Sequence, residues 1–187
     1  MPAIKESRIA ILATDGFEQS ELAVPLENLR GRGATVDVVS LKPGEITGWD
    51  KNDWGSAVKV DRTLDSVTPG NYDALVLPGG QINPDLLRAD EGAVDFVKTF
   101  HRTGKPLAAI CHAPWLLIEA GVIEGRRATS YKSIATDLKN AGAKWEDSET
   151  VVDGNIVTAR NPGDLQAFCG AIVDLVENGA AHREAAE

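Results

Sequence analysis

Cysteine and histidine stand side by side once in this chain, at Cys111-His112, where the apolar run Leu107-Ala108-Ala109-Ile110 meets Ala113-Pro114. An apolar strand that passes straight into a helix is the layout of a nucleophile elbow, a sharp turn that holds a side chain above the edge of a sheet. Such a turn needs small neighbours two positions away, and Ala109 and Ala113 supply them. A thiol at a helix N-terminus meets unpaired N–H groups and the positive end of the helix dipole, which favour thiolate. Cys111 is therefore expected to be a nucleophile with a pKa below the ~8.5 of a free thiol. His112 is the candidate proton shuttle. Consecutive residues on a helix do not face each other, but at a strained elbow the ring can swing sideways, and a further group must then fix its tautomer. The bland alternatives are a small apolar cysteine at a strand end and a structural histidine.

Three other loops follow apolar strands: Thr14-Asp15-Gly16-Phe17-Glu18, the run from Pro78 to Asp85, and one that begins at Arg160-Asn161-Pro162; the first two hold candidate partners. Pro78-Gly79-Gly80 ends an apolar strand. It reads as a simple turn or as backbone N–H groups of Gly79 and Gly80 that join the His112 N–H in an oxyanion hole. It lacks the spacing of a dinucleotide or phosphate loop. Glu18 opens the first helix, where the dipole favours a carboxylate in any case; a carboxyl that stays protonated there can donate a hydrogen bond to a nearby thiolate. Glu21, one turn later, is the weaker candidate. Asp85 follows Pro84 at another helix start, where capping is the alternative role. Trp115 is either pocket wall or core. Cys169 lies in the apolar stripe of the last helix and reads as structural, while His101 and His182 read as solvated. Three scattered histidines and no cysteine pair at metal spacing leave no zinc pattern, and no cofactor is expected.

The elements that must position these loops alternate between short apolar runs and helical periods. Strands are expected at Arg8–Ala13, Thr35–Leu41, Ala74–Leu77, Leu107–Ile110 and Asn155–Ala159. Leu22, Pro25, Leu26 and Leu29 form one helical stripe, with a kink expected at Pro25. Ala93, Val94, Val97 and Phe100 form another, Pro114–Ala120 a short helix, and Leu165, Phe168, Cys169, Ile172, Val173 and Val176 the last. Wholly apolar strands alternating with helices imply an α/β fold with a mostly parallel sheet covered on both faces. In such sheets ligands sit beyond the carboxyl ends of the strands, so all four loops should share one edge. The segment 44–59, with two tryptophans and three glycines, breaks the rhythm and reads as a small extra hairpin or flap.

The 187 residues carry 19 Lys and Arg against 28 Asp and Glu, a net charge of −9. One domain spanning 1–187 is expected, with 180–187 as a frayed tail. The acidic balance argues against strong nucleic-acid binding. No apolar stretch approaches the ~20 residues of a membrane helix, and two cysteines without a signal peptide point to the reducing cytoplasm.

With these residues assembled, the chain resembles the PfpI (intracellular protease) branch of the ThiJ/PfpI superfamily. The marks are Ile9-Ala10-Ile11-Leu12 leading to Asp15-Gly16-Phe17-Glu18, then Leu77-Pro78-Gly79-Gly80 with Pro84-Asp85-Leu86-Leu87-Arg88. They continue with Ala109-Ile110-Cys111-His112 and Thr158-Ala159-Arg160-Asn161-Pro162-Gly163-Asp164-Leu165. The resemblance implies a flavodoxin-like three-layer sandwich related to class I glutamine amidotransferases. It implies Cys111 as nucleophile, His112 as its partner and Glu18 as the carboxyl contacting the sulfur. Asp85 would come from a neighbouring subunit to orient the histidine, at a position where members often carry Glu. Members are dimers, or hexamers of three dimers. The implied activity is that of a stress-related cysteine hydrolase attacking a carbonyl, either peptidase-like or a glyoxalase or deglycase acting on methylglyoxal and its adducts. The alternative is a non-enzymatic redox sensor or stress chaperone whose Cys111 oxidises beside Glu18. A glutamine amidotransferase fits poorly: its glycines flanking the cysteine are missing, and the only distant His-x-Glu is His182-Arg183-Glu184 in the tail.

Overall fold

The computed structural model describes residues 2–179; the tail expected to fray, His182 and the His-x-Glu sequence lie outside the described residues. The first half of the chain forms β1 (Arg8–Leu12), β2 (Phe17–Glu18), α1 (Gln19–Gly31), β3 (Thr35–Ser40), β4 (Glu45–Asp50), β5 (Asp53–Lys59), β6 (Arg62–Thr63), β7 (Ala74–Leu77), α2 (Ile82–Arg88) and α3 (Glu91–Arg102). The second half forms β8 (Leu107–Ile110), α4 (Pro114–Glu119), β9 (Arg127–Ala128), α5 (Ala135–Asn140), β10 (Lys144–Trp145), β11 (Thr150–Asp153), β12 (Ile156–Ala159) and α6 (Leu165–Asn178).

Seven strands make one sheet in the order β11-β12-β8-β7-β1-β3-β6. All pairings are parallel except β11 with β12 at the edge. The expected doubly covered sheet is explained by the period of two along each strand. In β1, Ile9 and Ile11 point into one core with Phe168, Ile172 and Val176 of α6 and Leu22 and Leu29 of α1. Ala10 and Leu12 point into the other, with Val97 and Phe100 of α3 and Leu116 and Leu117 of α4. The helical stripes are those of the sequence, with Phe96 added to the buried side of α3. Helix α1 is assigned as one element across Pro25, whose missing N–H cannot bond the Glu21 carbonyl.

The chain runs outward from β1 to β3, then returns to the other side of β1 as β7. This reversal creates a switch point between β1 and β7, where the loops beyond both strands part and leave a crevice. The strands that carry the candidate residues end together there, with Leu77 opposite Ala109 and Ile110 opposite Ala159. The expected hairpin is present as β4–β5, and it joins β2 through Phe17–Gly48 and Glu18–Trp49. It is anchored over the crevice by the Gly16 N–H donating to the Thr47 carbonyl at 2.8 Å and the Thr47 N–H donating to Asp15 at 2.7 Å. Among the described residues no helix is long and apolar enough to cross a membrane.

Candidate active site

Cys111 occupies the left-handed region at φ 64°, a conformation that costs a β-carbon residue roughly 1–3 kcal/mol and persists only where its surroundings impose it. Here the Cys111 N–H donates to the Ala159 carbonyl at 3.0 Å and the Tyr131 N–H donates to the Cys111 carbonyl at 2.8 Å. The Ala113 N–H closes the turn onto Ile110 at 3.0 Å, and Ala109 and Ala113 are fully buried, as a tight elbow requires. The helix starts at Pro114, as its apolar pattern predicts, but the three turn residues 111–113 displace the thiol from the helix end that a direct passage from strand to helix would give it.

That displacement alters the electrostatics. The thiol is not held down by a helix end. Burial pushes it up, with the Glu21 charge adding to the rise, while the Gly80 and His112 backbone N–H groups act in the opposite direction. Cys111 therefore keeps its proton until a base takes it.

The carboxyl that faces the sulfur is Glu21, not Glu18. Glu18 sits on β2 before the helix starts, half-buried, and accepts from the Ser20 hydroxyl at 3.1 Å. One turn on, Glu21 is fully buried, and its Oε2 accepts the Gly79 N–H at 2.9 Å. Burial raises Glu21 to about 8. Its Oε1 is sealed from solvent without a hydrogen-bond partner, which leaves that oxygen to carry the proton.

The glycine loop divides its work. The Gly79 N–H is committed to Glu21, so Gly79 does not serve the oxyanion hole; the donors that reach the sulfur are Gly80 and His112. A Cβ on Gly79 would fall 2.6 Å from Glu21 Oε2 and 2.7 Å from Cys111 Cβ. Asn83, a residue without a sequence signal, is buried and ties this loop to the first: its Oδ1 accepts the Thr14 N–H at 2.7 Å and its Nδ2 donates to the Pro78 carbonyl at 2.8 Å.

His112 does swing sideways. Its Nδ1 lies 3.2 Å from Cys111 Sγ, and its Nε2 lies 3.1 Å from Ser133 Oγ. The ring stacks on Tyr131 at 4.8 Å and meets the edge of Trp115 at 5.3 Å. Burial lowers its pKa, keeping the imidazole neutral, with one ring nitrogen free to accept a proton. Within the chain the group on Nε2 is thus Ser133; Asp85 is exposed on α2 and does not line the cavity. Ser133 and Tyr131 escape sequence reasoning because the segment 126–153 folds into pieces too short to show a period. Trp115 backs the histidine, and its Nε1 donates to Asp137 at 2.9 Å. Cys169 is buried in α6, and burial raises its thiol to about 11. His101 differs from the solvated residue expected: it is half-buried, with Nδ1 enclosed and unpartnered.

These residues open on a cavity of about 500 Å³ lined by Gly16, Glu18, Gly80, Cys111, His112 and Pro162, one or more from each of the four predicted loops. Trp49 and Lys51 of the hairpin, with Tyr131, complete the wall. Among the described residues no group of three or more His, Cys, Asp or Glu is arranged to hold a metal.

Comparison with known proteins bears on the family and the fold. A family model described as the DJ-1/PfpI family matches residues 7–175. A deglycase of Thermococcus kodakarensis is 47% identical over 90% of this chain and 99% of its own length. Protein/nucleic acid deglycase 2 of Escherichia coli is 46% identical over 86% of this chain and 92% of its own. Among solved structures, a two-domain Anabaena variabilis protein with a DJ-1/ThiJ/PfpI-like domain superimposes with a TM-score of 0.87 at 35% identity, covering 94% of this chain and 50% of that one.

Proposed function

The chain belongs to the DJ-1/PfpI family, and on that premise we propose that it is a cysteine-dependent hydrolase of the PfpI type that acts on small carbonyl compounds, methylglyoxal and its adducts foremost. The observation that carries this reading is the contact of 3.2 Å between Cys111 Sγ and His112 Nδ1 inside a cavity of about 500 Å³. That volume suits a small ligand, and it favours a small adduct over a peptide segment.

The chemistry follows from the protons. For Nδ1 to accept the thiol proton it must be bare, so the neutral ring carries its hydrogen on Nε2, which donates to Ser133. The thiol proton passes to Nδ1 as sulfur adds to the aldehyde carbon, and the carbonyl oxygen takes up the negative charge. The Gly80 and His112 N–H groups, which already point at the sulfur, are placed to stabilise that oxygen. Glu21, protonated below about pH 8, is the acid within reach of the adduct. The His112 proton then passes to the oxyanion, giving a hemithioacetal; the freed Nδ1 takes the C1 proton of this adduct and returns it at C2 through an enediol. That shift converts the hemithioacetal into a lactoyl thioester, and water hydrolyses the thioester, so methylglyoxal plus water gives lactate and the thiol is restored. Asp85 we assign to the site of a neighbouring copy in a homo-oligomer, where its carboxylate would share the Nε2–H with Ser133. Its exposure on α2 between the exposed Ile82 and Leu86 supports this.

The test counts lactate formed per subunit by the wild type and by Cys111→Ala. Many turnovers by the wild type and none by the variant are expected. Consumption that stops at one equivalent per subunit would mean that the thiol only traps the aldehyde, and the reading would fail.

A further inference from the structure

Two non-glycine residues of the described chain adopt positive φ, Cys111 at 64° and Lys51 at 56°, and both line the same cavity. The first is the nucleophile. The second sits at the tip of the β4–β5 hairpin, beside Asn52 and between the paired Asp50 and Asp53, at a turn position that glycine or asparagine fills at least cost. A lysine retained there gives up backbone free energy that glycine would not, and such residues gather where a side chain is needed. The turn is also fixed in place: Trp49 Nε1 donates to the Lys51 carbonyl at 3.0 Å, and Trp49 packs against Trp54 at 5.5 Å. Below it, the Ser56 N–H donates to Gln19 at 2.5 Å, tying the hairpin to α1.

Lys51 is the cation among the residues lining the cavity, in a chain of net charge −9. Several arginines elsewhere are spent on carboxylates, for example Arg160 on Asp147 and Asp164 and Arg8 on Asp37. Among the described residues the Lys51 ammonium forms no ion pair. Of the acidic groups around it, Glu18 is turned to Ser20 and Asp53 accepts its neighbour's N–H at 2.8 Å. Glu21 keeps its proton below about pH 8. We infer that Lys51 is a specificity residue whose ammonium binds an anionic group, carboxylate or phosphate, on the compound whose reacting carbon is presented to Cys111. The inference deepens the functional reading above: it names the substrates as charged adducts, such as those of a free amino acid or a nucleotide, rather than neutral aldehydes.

The decisive experiment does not depend on turnover. Iodoacetate and iodoacetamide both alkylate a thiolate by displacing iodide and differ mainly in charge, so the ratio of their rates at Cys111 cancels the thiolate fraction. Mass spectrometry separates Cys111 from Cys169. In Lys51→Gln the iodoacetate-to-iodoacetamide ratio is expected to fall about five- to tenfold, in Lys51→Glu further, and in Lys51→Arg to stay within about twofold. An unchanged ratio in Lys51→Gln would overturn the inference. Turnover then identifies the anion through matched methylglyoxal adducts, N-acetylarginine against its amide and guanosine monophosphate against guanosine. A preference that Lys51→Gln abolishes in the first pair assigns a carboxylate, and in the second a phosphate; a preference in neither overturns the substrate class. If no adduct turns over, the functional reading fails while the alkylation ratio still decides for or against the anion site.

Discussion

A buried thiol beside a buried carboxyl would be self-defeating if both were charged, and the site avoids this by its proton count. Glu21, raised to about 8 by burial, stays neutral in the range where the neutral His112 draws the thiol proton away. One anion forms at a time, and it forms where the Gly80 and His112 N–H groups point. Ser133 carries the less obvious part: as acceptor for Nε2–H it selects the tautomer that leaves Nδ1 free. Ser133→Ala should lower kcat/KM about tenfold while leaving KM within about twofold, since it removes an orienting bond and no substrate contact. Ser133→Thr should restore most of the loss. A steady-state pH profile of both variants checks this; an unchanged Ser133→Ala profile would reduce the hydroxyl to packing.

At the scale of elements, the turn after β7 is the least replaceable piece of backbone. A methyl on Gly79 meets buried Glu21, Cys111 Cβ and the Ile110 carbonyl, the last two at 2.7 Å, and none is a flexible side-chain end. Gly79→Ala should cost about 3 kcal/mol of stability by overpacking. Gly31, the last residue of α1, has nothing within 4 Å of such a methyl, and Gly31→Ala should stabilise by about 0.5–1 kcal/mol. Urea unfolding of the two variants reads both signs. Elements of this kind were legible before the fold was known where a local period existed. The stripe Leu165, Phe168, Cys169, Ile172, Val173, Val176 is α6, all buried, and the apolar runs are the central strands. The segment 126–153 was not legible, because β9 and β10 have two residues each and pair only with each other. No pattern shorter than the pairing itself announces such strands.

For the molecule as a whole, Glu21 links the site to stability. Between pH 4.5 and about 8 the folded chain holds a proton on Glu21 that the unfolded chain has released, so this group makes stability fall as pH rises through that window and contributes no slope above it. Glu21→Gln keeps an acceptor for the Gly79 N–H and has no proton to lose. Its stability should therefore gain steadily on the wild type from pH 5 to about 8 in urea unfolding; parallel curves would show that Glu21 titrates normally. Assembly has its own test. If Asp85 serves a neighbouring copy, then mixing inactive Cys111→Ala with weakened Asp85→Ala subunits should restore part of the wild-type turnover, and strictly additive activity would confine Asp85 to its own surface.

The amino-acid sequence by itself determined the layered α/β architecture, the elbow at Cys111, the hairpin over 44–59 and the four loops of the cavity. Each of these is written in local spacing: a period of two or 3.6, a glycine pair, small residues flanking a thiol. Only the tertiary structure decided between Glu18 and Glu21, which stand three residues apart and differ in that one precedes α1 on β2 while the other turns inward one helical turn later. It also decided that Gly79 serves Glu21 rather than the oxyanion, that burial raises the thiol the helix end was expected to lower, and that Ser133 and Lys51 reach the site. These outcomes depend on which atoms meet across the crevice between β1 and β7 and on how far water is excluded there, and sequence spacing encodes neither.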